Sequence, residues 1–411
     1  MTKLKFLLIF LLFTTSYLQA QWIRQEAGTS EALNDVFCIN ADTVLAVGNA
    51  GVILKTTDGG EHWIQKSSPF TGYLWKIRFA DDTTGYAVGE NGIIKTTDAG
   101  ETWTILPADE DTLYSVSCVN KDTVYISGLH GTIKKTENAG LSWTTQTTSL
   151  TETINNIQFV NDTTGFATGL SLIDGYFLTT INGGYNWETQ NIGYISTYSL
   201  FFCNDTLGYF GESSLWKTVN VGENWNYISL DWWANAYSIY CINPDTIWVA
   251  GWEPMNTGGG AIAKSTSGGE GDDAFTYVWG YHEFYNSLHF ANDTVGYVVG
   301  FYGDENSGWE GLIKKITTGE NLSAVKEITA DKTFTVYPNP SNGIFTIKSQ
   351  QTFTVTERSR SNVSITNITG KEIMSMEHVP LQIDISNFPK GIYFLTISNK
   401  NHYETQKIII H

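Results

Sequence analysis

A motif that ends in tryptophan and returns about every forty residues is the feature that most constrains how this chain folds. Its clear copies end at Trp63, Trp103, Trp143, Trp187 and Trp225, with spacings of 40, 40, 44 and 38 residues. The first copy reads TTDGGEHW and the second TTDAGETW. Internal repeats of 20–50 residues are typical of solenoids and propellers, in which each repeat is one supersecondary unit.

A second pattern lies upstream of each motif. Residues 79–89 read FADDTTGYAVG, and closely similar stretches occupy 159–169 and 290–300. Asp and Asn side chains cap turn amides, and Gly adopts positive φ easily, so both patterns predict tight turns between short strands. The tryptophan is expected to pack inward at the start of the next strand. Four strands in about forty residues make one blade of a β-propeller.

The repeats predict seven blades. The sixth motif is reduced to Ser265, Ser267 and Gly269, and the seventh keeps only GEN at 319–321, with Leu322 in place of the tryptophan. The segment WIRQ at 22–25 resembles WIQK at 63–66, but no repeat precedes it. We therefore predict that residues 22–25 supply the outer strand of blade seven and close the ring.

The repeat resembles two kinds of known protein. The turns resemble Asp-box repeats, as in sialidases, sortilin-type receptors and certain xyloglucan hydrolases. The whole unit, over residues 21–322, more closely resembles the seven-bladed photosystem II assembly-factor-like propellers. The resemblance implies an all-β propeller but no particular activity, because propellers host many functions.

Arginine content limits what each resemblance implies about function. Residues 21–322 contain only Arg24 and Arg78. Sialidases bind the substrate carboxylate with three arginines, which suit bidentate pairing, so a sialidase is excluded. The assembly-factor-like propellers present a basic arginine patch, so the resemblance does not bring their partner to this chain.

The C-terminal part has its own pattern. Residues 323–334 are polar and mostly small, which predicts a linker, and the alternation over 335–411 predicts a small Ig-like antiparallel β-sandwich. This segment resembles the type A sorting domain of the bacterial type IX secretion system. The resemblance is carried by Tyr337, Pro338, Asn339, Pro340, Gly343, Gly370, Gly391 and Tyr393. It implies handling by the type IX secretion machinery, passage through the periplasm, and then release or attachment at the outer cell surface.

The first twenty residues predict a signal peptide. Lys3 and Lys5 precede an apolar run over 6–13, and the small residue Ala20 stands before Gln21. That run is too short to cross a bilayer, and no later run of about 20 apolar residues occurs, so no membrane span is predicted. The mature chain is expected to begin near Gln21.

Charge excludes one class of partner. The formal net charge is −18; residues 21–322 carry 13 basic and 35 acidic side chains, and residues 323–411 carry 9 and 7. The acidity therefore belongs to the predicted propeller. A field of that sign repels phosphate, so we expect no nucleic-acid partner.

Cysteines and histidines suggest no cofactor. Cys38, Cys118 and Cys241 share one repeat position in blades one, three and six, which are not consecutive. A disulfide needs Cα atoms within about 7 Å, so we interpret the three as semi-buried strand residues; Cys203 lies elsewhere in its repeat, and no disulfide is required. The seven histidines are scattered, and the acidic pairs at 81–82 and 304–305 favour solvated turns over calcium, so no metal is expected.

Aromatic residues provide the candidate site. The connections between blades and between second and third strands lie on one face of a propeller, and here they are long in blades six and seven, over 252–260, 272–285 and 301–310. The candidate ligand-binding residues are Trp232, Trp233, Trp252, Trp279, Trp309, Tyr302, Asp231, Glu253 and Glu310. Flat aromatic faces stack on sugar rings and carboxylates accept hydroxyl hydrogen bonds. The alternative is that these aromatics only pack the long loops.

The leading hypothesis is a non-enzymatic surface binding module that recognises a polysaccharide or a protein through the loop-rich face of blades five to seven, with no catalytic residue assigned. One alternative is a glycoside hydrolase of the Asp-box propeller type, because two acids flanking a sugar can perform hydrolysis. Another alternative is an assembly scaffold for a surface protein complex.

Overall fold

The computed structural model divides the chain into two compact units, Met1–Gly319 and Glu320–His411. It describes residues 22–90, 92–107, 111–170, 174–193, 196–230, 235–252, 259–271, 274–304, 308–317, 334–337, 341, 343–349, 362–367, 372–376, 378, 380, 382–398 and 403–410. The predicted signal peptide and, apart from Phe334, the predicted linker lie outside these residues.

The first unit consists of seven antiparallel four-stranded sheets, which are the blades of a propeller. Blade one comprises β2 (Leu33–Cys38), β3 (Val44–Gly48), β4 (Ile53–Thr56) and β5 (Ile64–Lys66), with a 3-10 turn at Asn49–Gly51. Blade two comprises β6 (Leu74–Phe79), β7 (Gly85–Gly89), β8 (Gly92–Thr96) and β9 (Thr104–Ile105). Blade three comprises β10 (Leu113–Cys118), β11 (Val124–Gly128), β12 (Ile133–Thr136) and β13 (Thr144–Thr145). Blade four comprises β14 (Thr153–Phe159), β15 (Gly165–Leu170), β16 (Gly175–Thr180) and β17 (Glu188–Gly193).

The remaining blades follow the same order. Blade five comprises β18 (Ser199–Phe202), β19 (Gly208–Gly211), β20 (Leu215–Thr218) and β21 (Asn226–Ile228). Blade six comprises β22 (Asn235–Cys241), β23 (Ile247–Trp252), β24 (Gly260–Ser265) and β25 (Phe275–Gly280). Blade seven comprises β26 (Glu283–Phe290), β27 (Val295–Asp304), β28 (Gly308–Thr317) and, from the other end of the sequence, β1 (Ile23–Gln25).

The pairing of β1 with β28 closes the ring as the sequence predicts. Ile23 lies opposite Lys315 and Gln25 opposite Ile313. The preceding residue, Trp22, is buried and meets Trp248 edge to face, with ring centroids 5.7 Å apart. The first strand thus connects the last blade to the core between blades six and seven.

The repeated motif forms the turn between the third and fourth strands of a blade. In blade one, Thr56 Oγ1 donates to Asp58 Oδ1 at 2.8 Å and accepts from the backbone N–H of Gly60 at 2.9 Å. Gly60 has φ of 89°, a left-handed conformation that favours glycine. The same hydroxyl–amide hydrogen bond recurs at Thr96, Thr136, Thr180, Thr218 and Ser265. The tryptophans that follow pack into the hydrophobic clusters between blades, as expected.

The residue that ends each innermost strand matches in size the residue opposite it on the second strand. This explains why three cysteines share one repeat position. The last residue of the innermost strand is Phe opposite Gly in blades two, four, five and seven, as in Phe79 opposite Gly85. In blades one, three and six it is Cys opposite Val or Ile, as in Cys38 opposite Val44. A Cβ on Gly85 would lie 2.7 Å from the Phe79 ring, so the ring fills the space of the absent side chain.

The interpretation of Cys241 as an unpaired strand residue is wrong. A disulfide joins Cys203 to Cys241, with Cα atoms 5.6 Å apart. Cys203 follows the end of β18 by one residue, and Cys241 ends β22, so the bond links the innermost strands of the adjacent blades five and six. Cys38 and Cys118 are free, and burial raises the pKa of both thiols.

Two stretches predicted as loops are mostly strand. Residues 272–285 include β25, where Trp279 lies, and the start of β26, where Tyr285 is fully buried instead of lining a connection. Residues 301–304 and 308–310 prolong β27 and β28, so that each strand has ten residues. Phe301 pairs with Gly311 and Asp304 with Gly308. The described part of this connection therefore continues the sheet of blade seven.

The second unit contains two sheets around one core. One sheet orders β29 (Phe334–Tyr337), β30 (Ile344–Ser349) and β33 (Gln382–Asp384). The other orders β32 (Glu372–Met376), β31 (Asn362–Asn367), β34 (Gly391–Ser398) and β35 (Tyr403–Ile410). Phe345 from the first sheet and Leu395 from the second share the same buried cluster. This is a β-sandwich; its Ig-like character stays a prediction.

The residues that resemble a sorting motif have structural roles where they are described. Gly343 has φ of 102°, and a Cβ there would lie 2.4 Å from the Cα of Ser386. Tyr393 is buried and donates its hydroxyl hydrogen to the Pro389 carbonyl at 2.6 Å. Tyr337 ends β29 and Gly391 begins β34. Pro338, Asn339, Pro340 and Gly370 lie outside the described residues.

Candidate functional site

Four aromatic rings, one from each of four strands, form a cluster on the face that carries the long connections. We call Trp252, Phe284, Phe301 and Trp309 the aromatic surface. Phe284 is its centre: its ring centroid lies 5.2 Å from Trp252, 4.6 Å from Phe301 and 5.5 Å from Trp309. Trp309 stays 46% exposed. The structure therefore brings together two of the predicted residues, Trp252 and Trp309, through two that the sequence reasoning missed.

The opposite side of the β27–β28 hairpin carries charge. Successive residues of a strand point to opposite faces, so Tyr302 lies behind Phe301. The Arg24 guanidinium lies 3.3 Å from the centre of the Tyr302 ring, and Arg24 Nη2 lies 3.9 Å from Glu310 Oε2. Tyr302 and Glu310 are direct partners in the strand register. These two predicted residues thus form a second, polar group with the closing strand of the ring.

Trp279 lies on the outermost strand of blade six. It stacks on Tyr277 with ring centroids 6.0 Å apart and is 51% exposed. Two residues later Tyr281 is 75% exposed and meets the His282 ring edge to face at 4.0 Å. Blade six therefore displays large aromatic area to solvent next to blade seven in the ring.

A buried polar group supports the base of the hairpin. Glu283 on β26 accepts hydrogen bonds from Lys314 Nζ on β28 and from the Tyr285 hydroxyl. Burial, followed by the Glu283 charge, holds the pKa of Tyr285 well above its ordinary value, so the phenol stays protonated and donates. The group fixes the strand from which Phe284 projects.

Four of the predicted residues cannot be placed. Asp231, Trp232, Trp233 and Glu253 lie outside the described residues. Phe284 and Phe301 carried no signal in the repeat, but residues 297–302 read YVVGFY, and this run of β-branched and aromatic residues indicates a strand that continues past the end of the repeat.

One exposed turn could offer metal ligands. Carboxylate and imidazole atoms of Asp58, Glu61 and His62 lie within 4.8 Å of one another. His62 Nδ1 is 2.7 Å from Asp58 Oδ2, and this hydrogen bond raises the pKa of His62. The contact accounts for the geometry, and we assign no metal.

The comparisons with known proteins address the propeller first. Residues 14–304 match the family model described as photosynthesis system II assembly factor YCF48. The chain belongs to this family. A curated relative, the chloroplastic photosystem II stability/assembly factor HCF136 of Oryza sativa subsp. japonica, is 34% identical over 62 residues. That match spans 15% of this chain and 15% of the relative, so we infer no activity of this chain from it.

Solved structures of the family share the fold. A structure described as YCF48 bound to D1 peptide has a TM-score of 0.57 at 18% identity, covering 72% of this chain and 97% of its own. YCF48 from Cyanidioschyzon merolae gives the same TM-score and identity, covering 73% and 99%. At this identity the likeness establishes the seven-bladed fold alone.

The C-terminal unit matches a different family model. Residues 335–411 match the secretion system C-terminal sorting domain. The match confirms the resemblance carried by the Tyr337 to Tyr393 motifs and indicates export to the cell surface or into the medium. Among the described residues, no helix is long and apolar enough to cross a bilayer.

Proposed function

We propose that this protein is a secreted or surface-attached binding module whose aromatic surface contacts a polysaccharide or a protein. The observation that carries the proposal is the position of that surface on a hairpin of two ten-residue strands, with Trp309 about half exposed. Soluble proteins rarely leave contiguous large aromatics in water, and such patches mark interaction sites. A rigid hairpin holds the rings in place before binding, which reduces the entropy lost in the complex.

The chemistry of the surface suits a polysaccharide. Indole and phenyl faces stack on the C–H faces of sugars, and the Trp309 indole, which is 46% exposed, is open to such a ring. A protein ligand is the alternative on the same surface, since Trp and Tyr also anchor protein interfaces. The solved family member described as bound to a D1 peptide shows that a propeller of this fold takes a peptide.

No catalytic function is proposed. The hydrolase alternative needs two acids flanking a sugar. Two of the three acids predicted for the site, Asp231 and Glu253, lie outside the described residues, and the third, Glu310, pairs with Arg24. The scaffold alternative coincides with the protein-ligand form of the proposal.

The experiment is affinity electrophoresis of the full mature chain through gels that contain single polysaccharides. We expect one polysaccharide class to retard the unmodified chain and Trp309→Ala to restore its mobility. Tyr185→Ala is the matched control, because Tyr185 is 81% exposed on a turn between the third and fourth strands of blade four, far from this face of the ring. Retardation that Trp309→Ala does not change would contradict the assigned surface.

A further inference from the structure

The central channel of the propeller has an excess of positive charge within an acidic protein. The channel is bounded by the innermost strands β2, β6, β10, β14, β18, β22 and β26. The ionisable acids and bases on these strands are Asp35, Lys76, Arg78, Glu283 and His289. Glu283 pairs with Lys314 of β28. Among the others, the two basic side chains of Lys76 and Arg78 face one carboxylate, Asp35. Burial lowers the pKa of Lys76, and burial and the Arg78 charge lower the pKa of His289 to about 3 and keep it neutral at pH 7.

Both carboxylate oxygens of Asp35 already accept hydrogen bonds. Its Oδ2 accepts from Arg78 Nη1 at 2.7 Å and from the Ile77 backbone N–H at 2.9 Å. Its Oδ1 accepts from Ser287 Oγ at 2.6 Å and lies 3.3 Å from Lys76 Nζ. The side chain is completely buried. One carboxylate thus ties blades seven, one and two together, and it faces two basic side chains.

Arg78 retains hydrogen-bonding capacity. Within the described part of the chain, its guanidinium donates two hydrogen bonds, both from Nη1, to Asp35 and to the Ile77 carbonyl. A guanidinium has five N–H donors, so those on Nε and Nη2 are available to a ligand or to solvent. Arg78 lines the same cavity as Gln158 of blade four and Phe201 of blade five, which places it inside the channel.

A cavity lies beside these cations. Its volume is about 230 Å³, and its lining includes Phe37, Lys76, Arg78, Ser115, Gln158 and Phe201. Aromatic and cationic groups therefore face the same space. The Arg78 guanidinium carbon is 5.9 Å from the centre of the Phe37 ring.

We propose that the central channel binds a compact carboxylate attached to a ring. A cation held in a partly desolvated channel is stabilised by an opposing charge, and a guanidinium fork fits a carboxylate in bidentate geometry. The aromatic walls supply a surface for the ring of the ligand. An acidic sugar and an aromatic acid share this chemistry. The site has no residue in common with the aromatic surface and does not depend on the function proposed for it.

The test is isothermal titration calorimetry of the full mature chain with two acid–neutral pairs, glucuronate against glucose and benzoate against benzyl alcohol. We expect at least one acid to bind at least tenfold more tightly than its neutral counterpart. The pair that shows the difference distinguishes an acidic sugar from an aromatic acid. Equal affinity within both pairs would overturn the proposal.

Two variants test the residue. Arg78→Gln is expected to weaken acid binding at least tenfold, while Lys76 keeps Asp35 paired. The matched control is Lys95→Gln on β8, whose ammonium donates to the Ala139 carbonyl outside the channel. Arg78→Lys retains the charge and loses the fork, so it should bind with intermediate affinity. Wild-type affinity in Arg78→Gln refutes the site. If that variant does not fold, wild-type affinity in Arg78→Lys refutes bidentate binding of the carboxylate by the guanidinium. If neither variant folds, the comparison of acids with their neutral counterparts on the unmodified chain decides whether the channel binds a carboxylate.

Discussion

The Nη1 atom of Arg78 on β6 lies 2.7 Å from Oδ2 of Asp35 on β2, so an ion pair joins the innermost strands of neighbouring blades. Burial alone would raise the pKa of Asp35. The Arg78 and Lys76 charges and the Ile77 amide outweigh it, and the pKa lies below its ordinary value. The carboxylate therefore stays ionised and stabilises the ring where its two ends meet.

Removing this carboxylate should destabilise the propeller. Asp35→Ala leaves two cations and one backbone amide without their buried partner, and breaking a buried ion pair in this way costs about 3–5 kcal/mol. The measurement is the free energy of unfolding from denaturant titration. Asp82→Ala, an exposed acid on the first turn of blade two, is the control and should change it by less than about 0.5 kcal/mol. Equal effects of the two changes would contradict the role of Asp35.

Stability should fall on acidification because of His289. Its Nδ1 accepts the Cys38 amide hydrogen at 3.2 Å, and its folded-state pKa of about 3 lies below the ordinary value. Below about pH 6.5 the unfolded chain therefore binds a proton that the folded chain does not. Stability present above that pH is lost as the pH falls towards 3, by up to about 1.4 kcal/mol per unit.

The measurement for His289 is the unfolding free energy between pH 7 and pH 4. His289→Asn keeps a hydrogen-bond acceptor and cannot titrate, so its curve should be flatter than that of the unmodified chain. Curves of equal slope would show that this histidine does not titrate as the channel geometry requires.

The disulfide between blades five and six should stabilise the folded state. It closes a loop with a sequence separation of 38 residues, for which the loss of chain entropy in the unfolded state corresponds to about 4 kcal/mol as an upper estimate. Cys203→Ser should therefore lower the thermal midpoint, and a reductant should then have no further effect on it. Cys118→Ser, which changes a free thiol, is the matched control. An unchanged midpoint in Cys203→Ser would refute the contribution.

Closure of the ring depends on Trp22. Its side chain is 4% exposed, whereas the next residue, Ile23, is 61% exposed. Trp22→Ala should lower the unfolding free energy by about 3–5 kcal/mol, as for other buried aromatics cut back to alanine. Ile23→Ala should have almost no effect. If both variants were as stable as the parent, the first strand would not be what closes blade seven.

The sequence predicts the propeller well because its information is periodic. The evenly spaced motifs that end at Trp63 to Trp225 predict the blades. The segment at 22–25, which resembles a fourth strand but has no repeat before it, predicts that the chain ends close the ring. The β1–β28 pairing confirms that inference. The spacing of the repeats does not predict which residues of neighbouring blades are in contact. Cys203 lies one residue beyond the repeat position of Cys241, so alignment of the repeats separates two residues that neighbouring blades bring into contact.

The candidate site was only partly predictable. Hydrophobicity identifies Trp252 and Trp309 as unusual, but the fact that they meet through Phe284 depends on how far β27 and β28 extend. Tyr285 looks equivalent to the loop aromatics in sequence, yet it begins the packed part of blade seven and is fully buried. The charges of Lys76 and Arg78 are visible in the sequence, whereas their convergence on Asp35 requires the ring.

The most direct test of the binding function is a glycan array, paired with capture of surface proteins, using the full mature chain with and without Trp279→Ala combined with Trp309→Ala. Both tryptophans are about half exposed, so their removal should leave the fold intact. We predict binding to one polysaccharide class, or to one surface protein, that the double variant loses and Tyr185→Ala retains. Undiminished binding by the double variant would contradict the aromatic surface as the site, and no binding in either arm would contradict the binding function itself.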